Sequence, residues 1–154
     1  MPNFSEGRDR AAIRKITDAV QAVRGVQLLD VDPGESTNRT VVTFIGEPGP
    51  VAEAAFRAVA KAAELIDMSC HKGEHARFGA TDVCPFVPVS GVTRAECREL
   101  ERSVGRRRGV VRGIPVFLFV GGGSRRGRGS GGVVRAGAGV GVAWILALGG
   151  WGPG

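Results

Sequence analysis

The feature that most constrains this chain is its apolar period, which changes twice before residue 70. Over residues 8–24 the side chains of Ile13, Ile16, Val20 and Val23 recur three and four apart, the stripe of an amphipathic helix, and Gly25 stands where a C-terminal cap is wanted. VQLLDVD (26–32) abandons that spacing and is closed by Pro33-Gly34, and TVVTFIG (40–46) is a second short apolar run closed by EPGP. These predict two strands joined by a short polar loop. At 51–68 the helical spacing returns, with Val51, Ala55, Ala58, Ala62 and Leu65 on one side and Pro50 near the start.

Farther along, CPFVPVS (84–90) reads as a strand. Thr93 and Glu96 make a capping box ahead of a helix predicted to reach about Arg107, and IPVFLFV (114–120) is an unbroken apolar run suited to a buried strand. The order α-β-β-α-β-α-β predicts an α/β (α+β) fold with a mixed sheet, because one strand pair is joined by a short loop while other connections carry helices. With a strand ahead of the first helix, the leading part becomes a ferredoxin-like β-α-β-β-α-β unit followed by an additional αβ unit. Only Met1 stands before Pro2, so that first strand is expected to be truncated.

The length of 154 residues suits one domain. A net charge of +6 points to an anionic partner until it is divided along the chain: residues 1–103 hold 13 Lys and Arg against 15 Asp and Glu, whereas 104–154 hold 8 Arg and no acid. The same tail holds 17 of the 25 glycines, and from Arg102 onward Asp, Glu, Lys, Asn, Gln, His and Tyr are all absent. Every one of those types has adenine in the middle of its codons, as expected of a GC-rich gene read in a shifted frame. Residues 1–120 are therefore expected to form the domain and 121–154 an atypical, poorly ordered or aberrant tail. No aromatic residue is interleaved with the arginines, so no nucleic-acid partner is expected. The uncharged run from Ala136 is too short and glycine-broken for a membrane span. Cys70, Cys84 and Cys97 form neither a C-x-x-C pair nor an even framework, and no signal segment precedes them, so a cytoplasmic location is expected.

The stretch DMSCHKGEHARFGATD (67–82) holds both histidines. His71 and His75 are four apart, a spacing used by metal sites on helices, but Gly73 between them argues against a regular helix and no third ligand falls at a zinc-like spacing. A plainer alternative is a polar loop whose histidines cap the preceding helix. The crowding of Asp67, His71, Lys72, Glu74, His75, Arg77 and Asp82 favours acid–base chemistry, since a histidine beside carboxylates titrates across neutrality. Two more polar loops, DVDPGESTNRT (30–40) and PNFSEGR (2–8), are strand-terminating turns or ligand loops, the latter able to offer backbone N–H groups to an anion.

Together and in order, PNFSEGR, LLDVDPGESTNRTVVTFIG, LIDMSCHKGEHARFGATDVCPFVPV and GIPVFLF resemble the N-terminal subdomain of the glutamate formimidoyltransferase (formiminotransferase) family, over about residues 2–120. That resemblance implies transfer of a formimino group from N-formimino-L-glutamate to N5 of tetrahydrofolate, as co-substrate and without a metal, in histidine degradation. It implies His75 as the proton acceptor and Asp32 as a second catalytic residue that orients or polarises the site. His71, Lys72, Glu74, Arg77, Arg39 and Asn38 become candidates for holding substrate or folate, with Arg39 suited to a glutamate carboxylate. This chain has Ala76 where the family usually has proline. It also lacks the second subdomain that closes the family's folate tunnel, so an incomplete transferase is expected. The alternative is a non-catalytic remnant that binds folate or a partner, with a homodimer as its candidate assembly.

Overall fold

The computed structural model describes residues 1–74, 79–112, 116–117 and 133–134. The elements are β1 (Asn3–Phe4), α1 (Arg10–Gln21), β2 (Val26–Gly34), β3 (Arg39–Gly46), α2 (Pro48–Leu65), β4 (Thr81–Val83), α3 (Arg94–Arg112), β5 (Val116–Phe117) and β6 (Val133–Val134).

Each element has a local cause. Asp9 caps α1, its carboxylate accepting the N–H groups of Ala11 and Ala12 at 2.9 and 3.1 Å. The predicted stripe of Ile13, Ile16 and Val20 is buried, and Gly25 turns the chain into β2 with φ +86°. Pro48 and Pro50 occupy the first turn of α2, where a missing N–H costs nothing. The buried face of α2 is Ala54, Ala55, Ala58, Val59 and Ala62, small enough for neighbouring helices to approach closely. The capping box of α3 forms as predicted, with Thr93 N–H on Glu96 Oε2 at 2.7 Å and Glu96 N–H on Thr93 Oγ1 at 3.2 Å. Arg107 ties α3 to α2, stacked 3.9 Å over the Phe56 ring and paired with Glu53 at 2.6 Å.

β1 to β4 form one sheet in the order β2-β3-β1-β4, and its three ladders are antiparallel. β1 and β2 consequently run the same way with β3 between them, and β3 and β4 do so with β1 between them. Each of α1 and α2 thus joins parallel strands across an intervening one, which is the predicted β-α-β-β-α-β unit of an α+β fold. The parallel relations of the expected mixed sheet exist only between next-but-one strands. Phe4, Thr40, Val42, Phe44 and Thr81 are buried on the helix side, in a core with Ile16, Val20, Val59 and Val104.

The strand expected at 84–90 lies earlier, at Thr81–Val83. It follows β1: Phe4 pairs with Thr81 and Asn3 with Val83, and beyond them β1 has no further strand to offer. Pro85 and Pro88 also lack the N–H that a ladder needs. Of the strand expected at 114–120, only Val116–Phe117 is described; it pairs antiparallel with Val133–Val134. The other residues of 114–120 and of the 121–154 tail lie outside the described residues. Among the described residues no helix is long and apolar enough to cross a membrane.

Candidate active site

The three polar loops singled out in the sequence meet at one end of the sheet. β1 and β2 end there, and β3 and β4 begin there, so the turns after Phe4, after Gly34 and before Thr81 are neighbours. Asn38 holds them together. Its Oδ1 accepts the Gly7 N–H at 2.9 Å, its Nδ2 donates to the main-chain oxygen of Lys72 at 3.1 Å, and its own carbonyl receives His71 Nε2 at 3.3 Å. Asn38 is buried and has φ +48°, a conformation that asparagine tolerates better than most residues. Gly7 lies so close to the β2–β3 turn that a Cβ there would stand 2.3 Å from Gly34 O.

The far end of the histidine loop is fastened to β1: Ser5 Oγ donates to Gly79 O at 2.7 Å and Ser5 N–H to Ala80 O at 2.8 Å. One end of the loop is thereby fixed to Asn38 in the β2–β3 turn and the other to Ser5, the residue that follows β1. His71 is partly buried, and Lys72 and Glu74 are exposed. His75 and Arg77 lie outside the described residues. Asp67 is committed to its own turn, where the Ser69 hydroxyl and N–H hold its carboxyl below the usual range.

The sheet face turned away from the helices carries the charge. Arg39 Nη2 lies 2.9 Å from Asn3 Oδ1 and 3.2 Å from Asp82 Oδ2. Asp82 is buried, so the pair is largely desolvated and the guanidinium is held in place. Asp32 pairs with Val41, and Val41 with Asn3, which puts exposed Asp32 on the same face about 10 Å from Asn3, two strand spacings away. Of the expected site residues, the structure therefore brings Arg39, Asn38, His71 and Lys72 together, with Asp32 farther across the sheet.

In the 2–8 loop the Gly7 N–H is engaged by Asn38 Oδ1 at 2.9 Å and the Arg8 N–H by Glu6 Oε1 at 2.8 Å, and the Asp9 N–H that follows the loop joins it on Glu6 at 2.9 Å. Asn38 has both its amide oxygen and its amide nitrogen bonded within the chain. Sequence reading missed Asn3, which entered there only as part of the PNFSEGR loop. The available signal was the strand alternation that sets Asn3 on the opposite face from Phe4. Among the described residues no three His, Cys, Asp or Glu side chains are grouped as metal ligands.

Comparison with known proteins gives the class. Over 119 residues, 77% of its length, the chain is 52% and 51% identical to the formimidoyltransferase-cyclodeaminases of Sus scrofa and Dictyostelium discoideum, and 47% identical to the glutamate formimidoyltransferase of Thermoplasma acidophilum. These relatives are transferases by name. The family model for the formiminotransferase domain, N-terminal subdomain, matches residues 1–138, and the chain belongs to that family, as the resemblance of its motifs implies. It spans 22% of the length of each of the first two relatives and 39% of the third.

Proposed function

We propose that the chain supplies the N-terminal part of the active site of a folate-dependent formimidoyltransferase, moving a formimino group from N-formimino-L-glutamate to N5 of tetrahydrofolate in histidine degradation. Family membership supports the class of reaction. The observation that carries the reading to this site is the fastening of the histidine loop at both ends, by Asn38 at Lys72 and by Ser5 at Gly79. Catalysis by positioning needs such a fixed loop.

In this reading N5 of tetrahydrofolate attacks the formimino carbon and His75 takes the N5 proton. The bond from that carbon to the glutamate nitrogen then breaks as His75 returns a proton to the departing nitrogen. Glutamate and the N5-formimino folate are released. Arg39, held by Asn3 and Asp82, receives a glutamate carboxylate, and His71, Lys72, Glu74 and Arg77 line the path of substrate or folate. Asp32 orients or polarises the site from the neighbouring strand, and Asn38 acts by positioning. The reaction belongs in the cytoplasm and uses no metal.

A formimino-transfer assay on the purified chain tests this. Turnover that His75→Ala lowers about a hundredfold to ten-thousandfold supports the transferase. Tetrahydrofolate binding without turnover in the parent chain supports instead a non-catalytic binding remnant.

A further inference from the structure

Arg39 is aimed by two residues on two other strands. It opens β3, and its side chain crosses β1 to reach Asp82 in the middle of β4. On that path Nη2 meets Asn3 Oδ1 at 2.9 Å and Asp82 Oδ2 at 3.2 Å. Asp82 can meet it because β4 is irregular there. Phe4 pairs with Thr81 and Asn3, the residue before it, with Val83, so Asp82 is the extra residue of a β-bulge between two paired ones. Thr81 is fully buried on the helix side, and the bulge aims the next side chain at the opposite face.

The guanidinium is engaged at one nitrogen only. Both bonds use Nη2, and among the described residues Nε and Nη1 of Arg39 have no hydrogen-bond partner. The Arg39 side chain is 26% exposed and that of Asp82 8%, so water reaches the cation and hardly the carboxylate. The edge formed by Nε and Nη1 matches the two oxygens of a carboxylate. The charge of Asp82, little screened at that depth, offsets the long-range pull of the cation. A singly charged carboxylate still gains the two hydrogen bonds, whereas a group with more negative charge adds repulsion from Asp82.

We propose that Asp82 is a positioning and specificity-determining residue that acts through Arg39, admitting a singly charged carboxylate to the guanidinium and turning phosphate away. The inference rests on the reading above in which Arg39 receives a glutamate carboxylate. Selectivity here comes from repelling the wrong ligand as much as from holding the right one. Asn3 and Asp82 then differ in what they contribute. Asn3 is neutral and supplies direction alone, while Asp82 supplies direction and the charge that discriminates. An Asp82 that only braced the fold would, on removal, weaken every anion alike.

The test is calorimetric titration of the full chain at neutral pH with N-formimino-L-glutamate, which has no acceptor to react with when folate is absent, and separately with inorganic phosphate. The parent is expected to bind N-formimino-L-glutamate and to bind phosphate more weakly. Asp82→Asn keeps an oxygen for Nη2 but not the charge, and should strengthen phosphate relative to N-formimino-L-glutamate at least about tenfold. Asn3→Ala should weaken both ligands by a similar factor. Asp82→Ser, smaller and also neutral, serves as the second variant should Asp82→Asn fail to give the parent circular dichroism spectrum. An unchanged ratio of the two affinities, equal weakening of both ligands by the Asp82 variants, or no binding of N-formimino-L-glutamate by the parent overturns the proposal. The transferase reading fails separately. Turnover that depends on His75 beside an unchanged ratio overturns this proposal alone, and carboxylate binding filtered by Asp82 without turnover overturns that reading alone.

Discussion

The two ends of β3 are built on opposite terms. At Arg39 the chain closes on itself through polar side chains and backbone, with Asn38, Ser5 and Gly7 joining loops that are more than thirty residues apart in sequence. At Gly46 the sheet is apolar, and Ile45, Val87 and Val89 line one exposed surface. One end is fixed by directional bonds that tolerate no change of shape; the other is held by the core beneath it. A substitution at the first end should therefore show up as lost stability, and one at an exposed position of the second should leave stability nearly unchanged.

The largest effect is expected from Asn38→Ala. It strands the buried N–H of Gly7 and the carbonyl of Lys72 and forces alanine into a left-handed conformation, at a combined cost of about 3 kcal/mol. Urea unfolding measures this, and Asn38→Gly, which removes the same bonds without the conformational penalty, should recover part of it. Gly7→Ala comes next. Its Cβ would meet Gly34 O at 2.3 Å and Arg39 N at 2.7 Å, both backbone atoms of the turn, so the whole turn must move; about 2 kcal/mol is expected. A loss below about 0.5 kcal/mol in both variants, the level of ordinary surface changes, would break the contrast between the ends.

Much of this architecture is legible in the chain because local signals and packing agree. The stripe Ile13, Ile16, Val20 and the box Thr93, Glu96 specify α1 and the start of α3 without help from elsewhere. The displacement of β4 from 84–90 to Thr81–Val83 was not legible, since a strand is set by its partner and the partner, β1, is two residues long. The site divides in the same way. The three loops can be found by composition, but the tie between Gly7, Asn38 and Lys72 joins separations that no local pattern reports. Asn3 and Asp82, which hold Arg39, become visible only once β1 and β4 are paired.

A smaller effect sharpens the comparison from beneath the apolar end. Glu101 on α3 is buried with no hydrogen-bond partner on Oε1 among the described residues, and burial pushes its carboxyl up from the ordinary 4.5 to about 7, against the pull of the Phe86 N–H. The folded chain then holds a proton that the unfolded chain releases. Stability should be greatest below about pH 4.5, fall as the pH rises toward 7 and level off above it. In Glu101→Gln this slope should be absent from urea midpoints taken between pH 4 and 8. Its persistence in the variant would show that another group titrates.

The smallest effect is expected from Val89→Ser. Val89 is 75% exposed, so the change removes little buried surface and the urea midpoint should move by no more than about 0.5 kcal/mol. That near-silence is informative only beside Asn38→Ala. An exposed side chain gives no stability to lose, whereas a valine packed in solution would cost about 1.5 kcal/mol or more when it is removed. A loss of that size would mean that Val89 is covered, and that the two ends of the sheet are closed alike.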